Sequence, residues 1–445
     1  MSGLSHPDKR SRIAVENKMN FDINIKSSSK NVVFVAHEFG LYKGHGGIAS
    51  YLYNICKYLL EETNFNITVV CCVADEGCSF LESRKLTLRK IQKGNLKKQR
   101  ASVLRIVESL HPDYLEIADY NALGLDCAIS KSNGNERLQN TVIVTNNHTA
   151  NRECYEWSCA RDLLFSDKHL VARCQEERLQ MLISDHCIAP SSFLAKYLKR
   201  NYSLISDVLV FANPYLNNTK KRDELVLDLK DSYDLDAYSD SFNITLITRF
   251  EGRKRQDRLV KATVDLLKQG ECINLFMCGS SSPLPISGDD YRLEVFKGIE
   301  DKFFDKIHFF DFVDRSEQQK FLAITNLVVL PSTFENQPVA MIESVLAGIP
   351  VIASKYSGIA DYSPSELLFD PFKKDDLKVV IHNYITSCKE DKDKLISDQL
   401  ENLLIFINPE ISILPRFNLQ SNVRAESNTC EISGDLDLKN RYHEA

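Results

Sequence analysis

Apolar residues come in short runs along this chain, and an amphipathic stretch follows almost every run. "NVVFVA" at 31–36 has strand length, and "GGIASYLYNICKYLLEET" after it places Ile48, Tyr51, Leu52, Ile55 and Leu59 at helical spacing. "FNITVVCCVA", "PDYLEIA", "NTVIVTNNH" and "HCIAPS" repeat the strand signal, with helices such as "QRASVLRIVESL" and "SFLAKYLKRN" between them. Runs that are apolar throughout, rather than at every second residue, predict strands covered on both faces, hence a parallel sheet wound with helices. "SDVLVFANP" leads the chain out of this unit.

Residues 216–240 turn polar and charged and predict a linker with one helix. The alternation then restarts, with "NITLITRF", "INLFMCG", "IHFFDFV", "LVVLPS" and "PVIAS" as strands and "DRLVKATVDLLKQG", "SEQQKFLAIT" and "PVAMIESVLAG" as helices. The fold class is therefore α/β, with two Rossmann-like doubly wound domains facing a cleft, 31–215 and 241–390. A polar leader at 1–30, expected to be flexible, precedes them, and a helix with a loosely ordered tail is expected at 391–445. In such sheets ligands sit at the carboxyl ends of the strands, where the strand order reverses.

Length agrees with two domains, because 445 residues exceed what one core holds. A formal net charge of −6 argues against a surface built for nucleic acid, and a basic run at 84–100 has no aromatic residues on which bases would stack. The thirteen cysteines are scattered, so the expectation is buried, reduced thiols, no disulfide framework and no metal site. No apolar run approaches the length of a membrane span, and the N-terminus lacks a signal core, which points to a cytoplasmic chain.

The most structured polar pattern is "PSTFENQPVAMIESVLAGIPVIAS", 331–354. Asn336 is placed as an N-cap, Pro338 falls in the first turn, Gly348 stands as the stop, and Val339, Ile342 and Leu346 form the expected buried face. Free amides at such a helix start favour phosphate. Glu335 lies just before that start and Glu343 about two turns in.

"FENQPVAMIE" resembles the E-x7-E signature of family-four glycosyltransferases, the group 1 glycosyl transferases of the GT-B fold. "ITRFEGRKRQDRLVKA" is similar to the family's G-R-L-x-x-x-K-G-x-D-x-L-x-x-A block, with Arg249, Lys254, Asp257, Leu259 and Ala262 in register. "HEFGLYKGHGGIASY" resembles the family's N-terminal glycine loop, and "RLQMLISDHCIAPSSFLAKYL" its helix-strand-helix block. The resemblance spans about 31–390. It implies a retaining transferase that moves a sugar, hexosyltransferase-like, from a nucleotide diphosphate-sugar to a hydroxyl acceptor, with no cofactor and no required metal.

Carried over, the resemblance gives Arg249 and Lys254 to the diphosphate, Glu335 to sugar hydroxyls and Glu343 to the ribose. The backbone at Asn336, Gln337 and Pro338 would approach the sugar nucleotide, and Gly46 and Gly47 would do so from across the cleft. His148 falls near the transferred sugar and acceptor, and Asn147 takes that place if the register shifts by one. Thr248 and Arg255 stand where the family carries glycines, and Asp361 in "SGIADY" replaces the acid of its GGxxE element. These departures leave a second reading open, a catalytically weak GT-B chain serving as a binding or assembly subunit. The basic run Arg84–Arg100 falls on the acceptor side and implies contact with an anionic acceptor or, peripherally, with an anionic membrane at its inner face.

Overall fold

The computed structural model describes residues 26, 28–40, 47–74, 86–92, 94–158, 160, 162–216, 219–229, 240–284 and 286–421. The leader expected at 1–30 lies almost entirely outside these residues.

Two parallel sheets carry the fold. The first has strand order β3-β2-β1-β4-β5-β6-β7, from β1 (Asn31–Phe39), β2 (Asn66–Ala74), β3 (Leu86–Lys90), β4 (Tyr114–Ala118), β5 (Val142–Asn146), β6 (His186–Ala189) and β7 (Val208–Val210). The second has order β10-β9-β8-β11-β12-β13, from β8 (Phe242–Ile247), β9 (Ile273–Cys278), β10 (Ile307–Phe310), β11 (Leu327–Leu330), β12 (Val351–Ser354) and β13 (Leu368–Phe369). In each, the order reverses beside the first strand, β1/β4 and β8/β11, and every strand pair is parallel. The central strands are buried at every residue, as in β4, β5 and β9, because helices cover both faces.

Side chains of alternating direction on β1 feed two cores. Val32, Phe34 and Ala36 pack with Tyr51, Leu52, Ile55 and Leu59 of the helix Gly47–Glu62, while Val33 and Val35 pack with Val103 and Val107 of the helix Leu96–Leu110. The second sheet has its own core, to which the connecting segment contributes Ala212, Tyr215 and Leu225. Cysteines among the described residues are free thiols, with Cys71 and Cys72 buried in β2. Among the described residues no helix is long and apolar enough to cross a membrane.

After the helix Lys389–Phe406 on the second domain, the chain crosses back to the first. Residues Pro409–Ser412 and Leu414–Asn418 form two short helical turns, and Ile413, Leu414 and Phe417 complete the core beneath β1 and β4. Arg416 is fully buried there, donating to the Tyr51 hydroxyl and to the carbonyls of Phe211, Ala212 and Ser412, with Glu116 3.9 Å away.

A candidate sugar-nucleotide site between the domains

The loop after β11 enters the helix Val339–Leu346 through Pro338, which takes the cap position in an extended conformation (ψ 125°) without a side-chain cap bond. Asn336 therefore does not cap the helix, in contrast to its sequence placement. Its amide instead reaches Thr149 Oγ1 of the first domain at 3.4 Å. Met341, Ile342 and Val345 are buried in the core, with Val339 and Leu346 partly buried beside them. Gly348 (φ +82°) follows the last turn, donating to Val345, where a left-handed residue favours glycine.

Glu335 precedes this turn and pairs through its backbone with the loop after β12: Gly358 N–H donates to the Glu335 carbonyl at 3.1 Å. A Cβ on Gly358 would lie 2.1 Å from the Asn336 carbonyl oxygen, so this approach requires glycine. The Glu335 carboxylate is buried against two cations. Lys254 Nζ and Arg253 Nη1 (3.1 Å) both donate to Oε2, and Arg253 also pairs with Glu251 at 2.8 Å. Burial pushes the Glu335 carboxyl up, but Lys254 and then Arg253 outweigh it and hold it down at about 2. Burial and the adjoining Arg253 lower Lys254, with Glu335 opposing them; the carboxylate is ionised at neutral pH.

Both cations sit on the turn Gly252–Lys254 after β8, which ends at Arg255 in the left-handed region (φ +55°, ψ 42°). This is the glycine position of the resembled block. Arg255 is held there by a two-point pair with Asp257, Nε to Oδ1 at 2.9 Å and Nη2 to Oδ2 at 2.7 Å, which offsets the backbone strain. Arg249 stands exposed near the end of β8, with no side-chain ion pair among the described residues. The geometry brings Lys254 and Glu335 together, while the Arg249 side chain is exposed and only its carbonyl bonds to the end of this turn, accepting from Gln256 Nε2 at 2.9 Å. Arg253 takes part, although nothing in its sequence spacing distinguishes it from its cationic neighbours.

Gln337 does not face open space: its side-chain oxygen accepts from Asn213 N at 2.6 Å and its nitrogen donates to Asn213 O at 3.5 Å. Glu343 accepts from the Tyr215 hydroxyl. Gly46 lies outside the described residues. Gly47 opens its helix exposed, and a Cβ there meets no atom within 4 Å.

From the first domain, His148 follows β5 and stacks at a tilt on Tyr51, ring centroids 4.7 Å apart, while its backbone N–H donates to Asp119. Burial, with Arg416 adding to it, pushes the His148 imidazole down to about 3, so it is neutral near pH 7. Asn147 turns away, its amide donating to Ile188 O at 2.9 Å. Thr149, next to His148, is the residue that Asn336 touches, so the His148 loop abuts the Glu335 loop.

The domains meet around Phe334, fully buried between Trp157, Phe193 and Tyr197 of the first domain, with the Trp157 ring stacked on it at 5.7 Å and 12°. Gly252 lies against the Ser158 carbonyl, 3.0 Å from where its Cβ would be. Asp361 accepts from Ser192 N at 2.6 Å, at the start of the helix Ser192–Asn201.

Two Rossmann-like domains facing each other in this way constitute the GT-B fold. Similar solved structures include sucrose-phosphate synthase from Thermosynechococcus elongatus, 16% identical over 87% of this chain and 97% of that one, TM-score 0.66. Anabaena HepE in complex with UDP is 15% identical over 87% and 97%, TM-score 0.60. The catalytic domain of starch synthase IV from Arabidopsis thaliana, bound to ADP and acarbose, is 13% identical over 88% and 99%, TM-score 0.57. Residues 230–397, the second domain with part of the connecting segment, match the family model "Glycosyl transferases group 1". No curated protein sequence matches the chain.

Proposed function

We propose that this protein is a glycosyltransferase that moves a sugar, hexose-like and with retention, from a nucleoside diphosphate to a hydroxyl acceptor. The observation that carries the reading is the pair Lys254 and Arg253 converging on Glu335 at the seam of two GT-B domains, within the segment that matches the group 1 model. Charge on the departing diphosphate grows in the transition state, and fixed cations in a water-poor site stabilise it there more than in the ground state. Lys254 supplies that charge. Glu335 accepts from sugar hydroxyls, Glu343 accepts from the ribose, and the backbone of Asn336 to Pro338 lines the approach.

His148 acts without charge. An imidazole held at about 3 offers a hydrogen bond to the sugar or acceptor hydroxyl at neutral pH and no positive charge. Retention follows if the diphosphate leaves and the acceptor attacks on the same face, where a departing phosphate oxygen takes the acceptor's proton. The UDP complex of HepE makes uridine nucleotides the first probes to try. Thermal stabilisation by a panel of nucleotide sugars, followed by product analysis with Lys254→Ala as control, tests the reading.

Three engaged positions favour the second reading, a binding or assembly subunit: Glu335 by two cations, Glu343 by Tyr215, and Gln337 by Asn213. Hydrolysis of a nucleotide sugar in the absence of acceptor separates the two readings. The basic surface of the first domain, with Arg89, Lys90, Lys97 and Lys98 exposed, would face an anionic acceptor or membrane.

A further inference from the structure

The cluster at the seam is balanced in charge, two cations against the two carboxylates Glu251 and Glu335. Both cations end on one oxygen of Glu335, so that oxygen occupies the point where they converge. The surrounding backbone is fixed. Glu335 is held through its carbonyl by Gly358 N–H, and the Arg253 carbonyl accepts from Thr333 N–H at 3.2 Å. Only the Glu335 side chain need rotate to vacate the point, and both cations then face the seam with Glu251 as the remaining partner of Arg253.

We propose that Glu335 is an internal competitor for the diphosphate, and that binding exchanges this carboxylate for phosphate oxygens on Lys254 and Arg253. The inference rests on the transferase reading and adds to it. It makes Arg253 a diphosphate ligand beside Lys254, and it gives Glu335 two successive partners. A diphosphate carries more negative charge than one carboxylate, and it can accept from Arg253 Nη1 and Lys254 Nζ through separate oxygens, so the exchange favours the phosphate. Once displaced, Glu335 is free to accept from sugar hydroxyls. Diphosphate binding thereby prepares the carboxylate for the sugar, and empty cations are never left unpaired in a buried site.

Calorimetric binding of UDP, ADP, GDP and inorganic pyrophosphate to the full chain, compared among wild type, Glu335→Gln, Glu335→Asp and Arg253→Gln, tests this. Glu335→Gln removes the competing charge and is expected to tighten diphosphate binding by at least about fivefold. Glu335→Asp, which retracts the carboxylate by one methylene, should tighten it less, and it replaces the glutamine variant if that fails to fold. Arg253→Gln should weaken binding by about tenfold or more. Glu335→Gln should also turn over nucleotide sugar more slowly despite binding the nucleotide more tightly, a split that mere structural repair would not produce. Unchanged or weaker diphosphate binding in both Glu335 variants overturns the competitor. If wild type binds a nucleoside diphosphate and Lys254→Ala loses it, the transferase reading survives that failure. If neither pyrophosphate nor any nucleotide binds wild type, both fall.

Discussion

The Tyr215 hydroxyl donates to Oε1 of Glu343 at 2.8 Å, which ties the segment joining the two domains to the helix that follows β11. Thr219 Oγ1 lies 2.9 Å from the same hydroxyl, and Asn213 grips Gln337 nearby. A ribose reaching Glu343 therefore meets Tyr215. Glu343→Gln is expected to weaken nucleoside diphosphate binding by about tenfold while leaving pyrophosphate affinity unchanged, since only the ribose contact is lost. Equal losses for both ligands would place Glu343 outside a ribose site.

Lys254→Ala should lower turnover by at least about 100-fold, on the order of 3 kcal/mol of transition-state stabilisation. Arg249→Ala, measured alongside, reports on a side chain that stands exposed and forms no ion pair with Glu335. Turnover within twofold of wild type, to about that precision, removes Arg249 from the diphosphate site.

His148 makes stability depend on pH in a definite direction. Its folded value of about 3 lies below the ordinary 6.5, so the unfolded chain takes up a proton that the native chain refuses. The loss begins as pH falls below 6.5 and continues toward 3, at up to about 1.4 kcal/mol per pH unit. Arg416, Tyr51, Glu116 and Asp119 face this region and are common to wild type and variant, so the comparison with His148→Gln isolates the imidazole. Urea unfolding at pH 7, 6, 5 and 4 should show the stability of the variant falling less steeply than that of wild type.

Neutralising Lys90, Lys97 and Lys98 together should weaken co-sedimentation with anionic vesicles, and raised salt should mimic the change. Nucleotide binding should not change. Arg100, in the same basic run, is no part of this surface: it is buried and donates to Asn121 O and Glu176 Oε2, both at 2.8 Å. Arg100→Gln should lower the melting temperature instead. Vesicle binding identical in wild type and the triple variant would assign the run to solvent.

Strands buried on both faces were legible as apolar runs because nothing in them competes with that signal. β3 was not. It lies at the sheet edge with Leu86 buried and Thr87, Arg89 and Lys90 exposed, so charges mask the short alternation. At the site, Lys254 and Glu335 were assigned through the resemblance to the group 1 blocks, and the structure brings them together. Arg253 could not be separated from Lys254 and Arg255 in sequence, because a turn whose last residue is left-handed decides which of three adjacent cations points inward. Asn336 was expected to cap its helix from its type alone, but the extended Pro338 delays the first turn.

The return of the chain to its first domain sets the order in which the protein is completed during synthesis. Phe417 lies against Phe65 and Tyr114, ring centroids 5.2 and 4.7 Å away, and its carbonyl accepts from Lys30 at 2.5 Å. The first sheet ends at Val210, so its core waits for residues made roughly 200 positions later, on the order of 20 seconds at about 10 residues per second. During that interval the second domain is synthesised, while Tyr51 and Glu116 lack the guanidinium of Arg416. A chain cut just after Ile407 therefore holds every buried residue of the second core and lacks Ile413, Leu414 and Phe417 of the first.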